Sequence, residues 1–286
     1  MANPLVQDLI EAGIHFGQRT SGWNPKMQPY IYAKRNGIHI IDIKETVKGL
    51  LLAKKFITKT VAGGKDVVFV GTKRQAKNVL EEHVPAVEMH YVTERWLGGI
   101  LTNFRTIRAR LKRLEELEAI EANDNFQSYS KKMESQLRRE MKKIKRNLDG
   151  IRRMEQLPGA VVVIDARHES TALREARKLG IPTISLVDSD GDPDLVDIPI
   201  PGNDDSMRSI DVVIRELCKA CHDGKQSRAV SAVQAGADDD EGGDRPRRSR
   251  RAQFRSDEAG RDASASSDTP APAAETAPAA SAPASE

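Results

Sequence analysis

The chain has 286 residues and sets 45 Lys+Arg against 42 Asp+Glu, a formal charge of only +3. Hydrophobic residues at 38% and aromatics at 4% fall below globular averages while charged residues at 30% exceed them, which puts part of the chain outside any core. No run approaches the roughly 18 consecutive apolar residues of a membrane span, the start carries Asp8, Glu11 and His15 where a signal peptide would be basic and then apolar, and two cysteines cannot staple a fold of this size, so a cytoplasmic setting is expected.

The N-terminal extension contains Gly13-Ile14-His15-Phe16-Gly17 and Trp23-Asn24-Pro25-Lys26-Met27, a Gly- and Pro-rich stretch with an aromatic ring and a cation close together. Gly63-Gly64-Lys65 reads as a helix-ending turn. Beyond it, Asp66–Gly71, Glu88–Val92, Ala160–Asp165, Pro182–Val187 and Asp197–Ile200 read as five strands, and Val161–Ile164 is apolar throughout, as a strand buried on both faces should be. Helical patterns cover Thr72–His83, Ser170–Leu179 and Asp205–His222. Alternating strands and helices predict an α/β fold, a doubly wound parallel five-stranded sheet between helices.

Between the second and third strands the periodicity changes. Phe104, Ile107, Leu111 and Leu114 are followed by Leu137, Met141, Ile144, Leu148 and Ile151, both sets at spacings of three and four. These are coiled-coil seams, and the polar break Ala122-Asn123-Asp124-Asn125 supplies a turn. Residues 104–151 are therefore expected to form an inserted antiparallel hairpin that reaches about 25 Å from a body made of residues 1–103 and 152–225. Its returning arm carries Lys131, Lys132, Arg138, Arg139, Lys142, Lys143, Lys145, Arg146, Arg152 and Arg153, with Glu134, Glu140 and Asp149 too few to pair them. Singly these are ordinary solvated charges; as a group they suit a polyanion.

Several strings imitate sites. Glu94-Arg95-Trp96-Leu97-Gly98-Gly99, then Thr102-Asn103-Phe104-Arg105, sets arginine beside tryptophan among small residues, which suits a sugar–phosphate backbone and an exposed base. Trp23 and Trp96 read slightly better as core or hinge packing residues, as tryptophan in general does. Thr72, Lys73 and Arg74 open a helix directly after a strand, where phosphate is attracted. Near Thr72, His168 and Asp188 a runner-up reading places an α/β enzyme or nucleotide sensor, although no nucleophile and base accompany Asp165-Ala166-Arg167-His168-Glu169. Cys218-Lys219-Ala220-Cys221-His222 imitates haem attachment, but on an amphipathic helix both thiols read as buried small hydrophobes. Asp188–Asp194 resembles the start of a calcium loop with Gly191 and Pro199 in the wrong places, leaving at most a loosely held divalent ion. No catalytic residue, cofactor, metal site or small-molecule substrate is expected.

From about Gly224 large apolar residues almost vanish, and residues 226–286 are expected to be a disordered tail. The tail's eight Arg and eleven acids give −3, so residues 1–225 carry +6. The tail masks a basic body.

GIHFG with WNPKM, FVGTKRQA, RWLGGILTNF, LPGAVVVIDARHE, GIPTISLVDSD and IPGNDD occur in the order that resembles the bacterial small-subunit ribosomal protein S-two family, over roughly residues 5–223. The resemblance implies a flavodoxin-like fold with a coiled-coil hairpin. It also implies a structural protein between head and body of the small ribosomal subunit that binds small-subunit ribosomal RNA, lies beside other small-subunit proteins and helps dock ribosomal protein S-one. Carried onto this chain, it implies RNA-facing Arg19, Trp23, Asn24, Lys26, Arg35, Lys73, Arg74, Arg95, Trp96, Arg105 and Arg108, with Lys142 and Lys145 on the hairpin. Gln18 stands where many members have a second histidine, so a metal at His15 is not carried over, and the tail lies beyond the resemblance.

Overall fold

A computed structural model of the chain describes residues 4–122 and 130–241, with side chains described through residue 230. Met1–Asp238 form one compact unit; of the other, Asp239–Glu286, the three described residues are helical. The chain opens with α1 (Pro4–Glu11) and three short antiparallel strands, β1 (Phe16–Arg19), β2 (Ile31–Arg35) and β3 (Ile38–Ile41), in the order β1-β3-β2. Asp42 then caps α2 (Ile43–Ala62) by accepting from the Lys44 N–H at 2.9 Å. The helix ends at the expected Gly63-Gly64 turn, where Gly64 takes a φ of 81° that an L side chain resists.

The remaining elements are β4 (Val67–Val70), α3 (Arg74–Ala86), β5 (His90–Val92), α4 (Phe104–Ala122), α5 (Lys131–Leu148), β6 (Ala160–Ile164), α6 (Ser170–Lys178), β7 (Thr183–Val187), β8 (Ile198–Pro201) and α7 (Met207–Glu241). The five expected strands form one sheet, ordered β5-β4-β6-β7-β8, with every neighbouring pair parallel. Its two faces alternate along each strand. Val67 and Phe69 pack with α2, α3 and α7, while Val68 and Val70 pack with α4, α5 and α6.

The inserted helices depart from expectation at their base. Ile107, Leu111 and Leu114 of α4 and Ile144 and Leu148 of α5 share one buried cluster with Val68, Val70, Val161 and Val163. Leu117 and Leu137 make a separate small cluster, edged by Ile120 and Met141. The root of the insertion is therefore part of the sandwich: with α6 packed at β7, the valines on that face still need apolar cover. Of the expected turn, Ala122 ends α4, and 123–125 lie outside the described residues.

The closing helix is longer than its pattern suggested. Instead of stopping at His222, α7 runs to Glu241, and the rest of the expected tail, 242–286, lies outside the described residues. Residues 225–241 are rich in Ala, Gln and other helix formers with no proline before Pro246. Gly224 lets the helix lie close to α2, since a Cβ there would stand 2.8 Å from the Val61 Cβ.

A second glycine sets the distance between α2 and the sheet. A Cβ on Gly49 would fall 2.5 Å from the Pro199 carbonyl oxygen, which backbone cannot yield cheaply. Gly49→Ala gains about 1 kcal/mol of helix propensity but forces α2 off β8 at a cost of about 1–3 kcal/mol. A lower urea midpoint is expected, despite the better helix former.

Candidate nucleic-acid interface

Arg95 and Trp96, adjacent in sequence, part company in space. Arg95 is exposed, whereas Trp96 is 7% exposed and its indole N–H donates to Glu175 at 3.2 Å. Glu175, buried on α6, gathers the whole loop: its Oε1 also accepts from the Gly99 N–H at 2.7 Å, and its Oε2 accepts from the N–H groups of Leu101 and Thr102 at 3.1 and 3.2 Å. Burial pushes this carboxyl up, yet the donors of Gly99, Thr102, Trp96 and Leu101 outweigh it and hold its pKa below the ordinary value. Trp96 is thus a packing residue and offers no face to a base. Arg105 and Arg108 are exposed on α4, the latter donating to the Met154 carbonyl at 3.2 Å.

Trp23 is half-buried, its ring centroid 4.9 Å from that of the buried His39 and 5.2 Å from the Lys34 ammonium. Asn24 caps a short 3-10 helix by accepting from the Lys26 N–H at 3.1 Å. Lys26 pairs with Asp192 at 2.9 Å and Asp194 at 2.8 Å, which raises its pKa. Arg167 holds Asp190 at 2.9 Å, so lysine and arginine serve the acidic loop where a divalent ion was considered. Arg19 and Arg35 flank Ile38 across the small sheet, both exposed. Among the described residues Arg19, Arg35, Arg74, Arg95 and Arg105 have no ion-pair partner.

The phosphate expected at the start of α3 is displaced by carboxylates of the chain itself. The Lys73 ammonium, 18% exposed, lies 2.7 Å from both Asp204 and Asp205 and 3.6 Å from Asp165. Burial opposes its charge, but these neighbours outweigh burial and raise its pKa. Burial and then Asp165 drive Asp204 up to about 8, and burial drives Asp188 up to about 6. The Gln18 N–H donates to Asp188 at 3.2 Å and to the Ser189 hydroxyl oxygen at 2.8 Å, while its side-chain amide donates to Asp205. Asp188, Asp204 and Asp205 bring oxygens within 4.8 Å of one another, but Lys73 and Gln18 already serve them. Nearby, Thr72 donates its N–H to the buried Glu169 at 3.2 Å. Lys73 is consequently an internal counter-ion rather than a surface contact. His168 is exposed and joins this network only through its backbone N–H, which donates to Asp165 at 3.0 Å, and Cys218 and Cys221 are buried, with burial pushing the Cys218 thiol up to about 12.

On the returning arm acids take up part of the positive charge, one from α5 itself and two from outside it. Glu134 holds Arg138 at 2.9 Å, Glu94 holds Arg146 at 2.6 Å, and Glu118 holds Arg152 at 2.7 Å and Lys145 at 3.7 Å. Lys131, Lys132, Arg139, Lys142 and Lys143 remain exposed and outside any ion pair among the described residues. Arg110 of α4, not singled out in the sequence because it sits within a run of cations from Arg105 to Arg113, joins Arg139 and Lys143 around a cleft of about 750 Å³ between α4 and α5.

The sequence matches the family Ribosomal protein S2 over residues 9–224. It is 55% identical over 238 residues to the small ribosomal subunit protein uS2 of Rhodopirellula baltica, covering 82% of this chain and 92% of that one. Similar matches are the uS2c of Rhodomonas salina, 47% identical over 231 residues covering 81% and 95% of the two chains, and the uS2 of Synechocystis, 46% identical over 227 residues covering 79% and 84%. A doubly wound sheet, the helices inserted after β5 and this extent of identity together establish that the chain belongs to the ribosomal protein S2 family.

Proposed function

We propose that the protein is a non-catalytic structural constituent of the cytoplasmic small ribosomal subunit that binds small-subunit ribosomal RNA between head and body. The observation that carries this reading is the set of exposed cations without acid partners among the described residues: Arg19 and Arg35 on the small sheet, Arg74, Arg95, Arg105, and Lys142 on α5. Phosphate contacts supply most of the affinity for such a surface. The carboxyl ends of the strands favour a scaffold over an enzyme or nucleotide sensor, because Lys73 and its carboxylates fill that edge. In this reading residues 104–151 form the coiled-coil arm and 1–103 with 152–225 the body. Arg95→Ala with Arg105→Ala is expected to reduce incorporation into subunits and to flatten the salt dependence of RNA binding by about 1–2 units of log–log slope. Unchanged co-sedimentation and slope would remove both residues from the RNA footprint.

Protein neighbours, S-one among them, belong to a surface of opposite sign. A groove of about 560 Å³ carries Asp8, Glu11, Glu82 and Asp211 against Arg208 and Arg215, a lining that repels RNA. Reversing Glu11 and Glu82 to Lys should loosen S-one from assembled subunits while incorporation of the protein persists; retention of S-one at the parent level would rule the groove out.

A further inference from the structure

We propose that the cleft between α4 and α5 takes one unstacked nucleotide from a single-stranded segment of RNA, an inference that rests on the RNA-binding reading and adds the form of RNA held. The cleft's volume of about 750 Å³ lies in the range of roughly 300–1,000 Å³ usual for small-molecule sites. Its floor is apolar: Ile107, Ile144 and Leu148 are buried there. Its rim is cationic, with Arg110, Arg139 and Lys143 exposed and without ion-pair partners among the described residues. The acid on that rim, Glu140, lies 3.9 Å from Arg113, which offsets its charge.

Two amides supply an edge for a base. Asn103 accepts from the Thr106 hydroxyl through Oδ1, so its amide hydrogens point elsewhere; Asn147 donates to the Lys143 carbonyl through Nδ2, so its Oδ1 can accept. An apolar floor, a donor and an acceptor beside it, and three cations at the mouth match a base with its flanking phosphates. Paired and stacked bases cannot enter such a cleft, whereas bases of loops, bulges and single strands can be splayed out into it.

Gly98 gives a steric test that leaves every charge in place. It lines the mouth, and a Cβ built on it meets nothing within 4 Å, so Gly98→Leu is accommodated by the fold and projects into open space. Fluorescence anisotropy would follow the full chain binding a mixed-sequence single-stranded RNA of about 12 nucleotides and a duplex of the same sequence. Gly98→Leu is expected to weaken the single strand about tenfold, the loss of one inserted base, with an unchanged salt slope and unchanged duplex binding. Arg110→Ala with Arg139→Ala and Lys143→Ala should instead lower the single-strand salt slope by about 2. The proposal is overturned if Gly98→Leu binds the single strand like the parent, if it weakens strand and duplex alike, or if a poly-glutamate peptide displaces the strand at equal concentration, which would point to an acidic protein ligand. If the parent binds neither RNA, the RNA-binding reading falls and this inference with it; if the parent binds and Gly98→Leu is silent, this inference falls alone.

Discussion

Glu175→Ala is expected to lower the unfolding free energy by about 3–5 kcal/mol, because it strips buried donors of a charged acceptor. The carboxylate reaches from α6 to the Trp96 indole and to the N–H groups of Gly99, Leu101 and Thr102, at 2.7 to 3.2 Å. Each of these donors lies in a loop between β5 and α4 whose helix-free backbone has few other acceptors. Glu175→Gln keeps the shape yet turns an amide NH₂ toward a cluster of donors, so it should recover less than half the loss. The acid limb provides a second readout. Since the folded-state pKa is held below the ordinary value of 4.5, the contribution is present above that value and disappears as pH falls through the folded pKa. The parent should therefore lose stability in acid more steeply than Glu175→Ala does. Urea unfolding across pH would measure this, with amide exchange at Gly99, Leu101 and Thr102; protected amides in the alanine variant would show that the loop has other supports. Because the same loop carries Arg95 and leads into Arg105 of α4, the proposed RNA binding should weaken in parallel although no charge on the surface changes.

The contrast between Arg95 and Trp96 also shows what sequence could and could not reveal. Parallel strands buried on both faces read as runs of valine and isoleucine, so β4, β6 and β7 were legible within a residue or two. The helices α4 and α5 were legible too, through period instead of composition. The small sheet was not: Phe16–Arg19 and Ile31–Arg35 are short, mixed in polarity, and held by distant partners such as Ser189 against the Gln18 N–H. α2 escaped although Leu50, Ile57 and Val61 keep helical spacing, because its outer face adds Leu51 and Leu52 and blurs the pattern. Among the candidate contacts, side-chain type carried no information about pairing. Lys73 and Arg74 are neighbours of like charge, but the acid that neutralises Lys73 at 2.7 Å lies 131 residues away, while Arg74 opens α3 in solvent. Glu94 and Glu118, which take up Arg146 and Arg152, are likewise invisible from the arm's own composition.

Lys73→Met should cost up to about 3–5 kcal/mol near pH 10, where the parent's Asp204 is ionised against the ammonium, and much less near pH 5, and the difference between those two figures is the diagnostic. In the parent, the ammonium compensates Asp204, 3% exposed, together with Asp205 and Asp165. Burial and Asp165 already lift Asp204 to about 8, and burial lifts Asp188 to about 6, against an ordinary value of 3.8. Folded-state carboxyl groups with raised pKa bind protons more tightly than the unfolded chain does, so their contribution is complete in acid and is lost as pH rises through 6 and 8. Lys73 limits that loss by holding Asp204 down. Without it, the Asp204 pKa climbs further, the fall in stability continues to higher pH, and the variant recovers toward the parent wherever the carboxyls are protonated. A hydrophobic replacement of similar length keeps the packing, so a deficit equal at both pH values would mean that lost contacts, not stranded charge, explain it. Adding Asp204→Asn to Lys73→Met removes the most deeply buried of the stranded carboxylates; a double-mutant cycle with a coupling well above 1 kcal/mol would tie the effect to this pair. The charge that sequence alone offered to phosphate would then be accounted for inside the protein, leaving Arg74, Arg95 and Arg105 among the proposed RNA contacts.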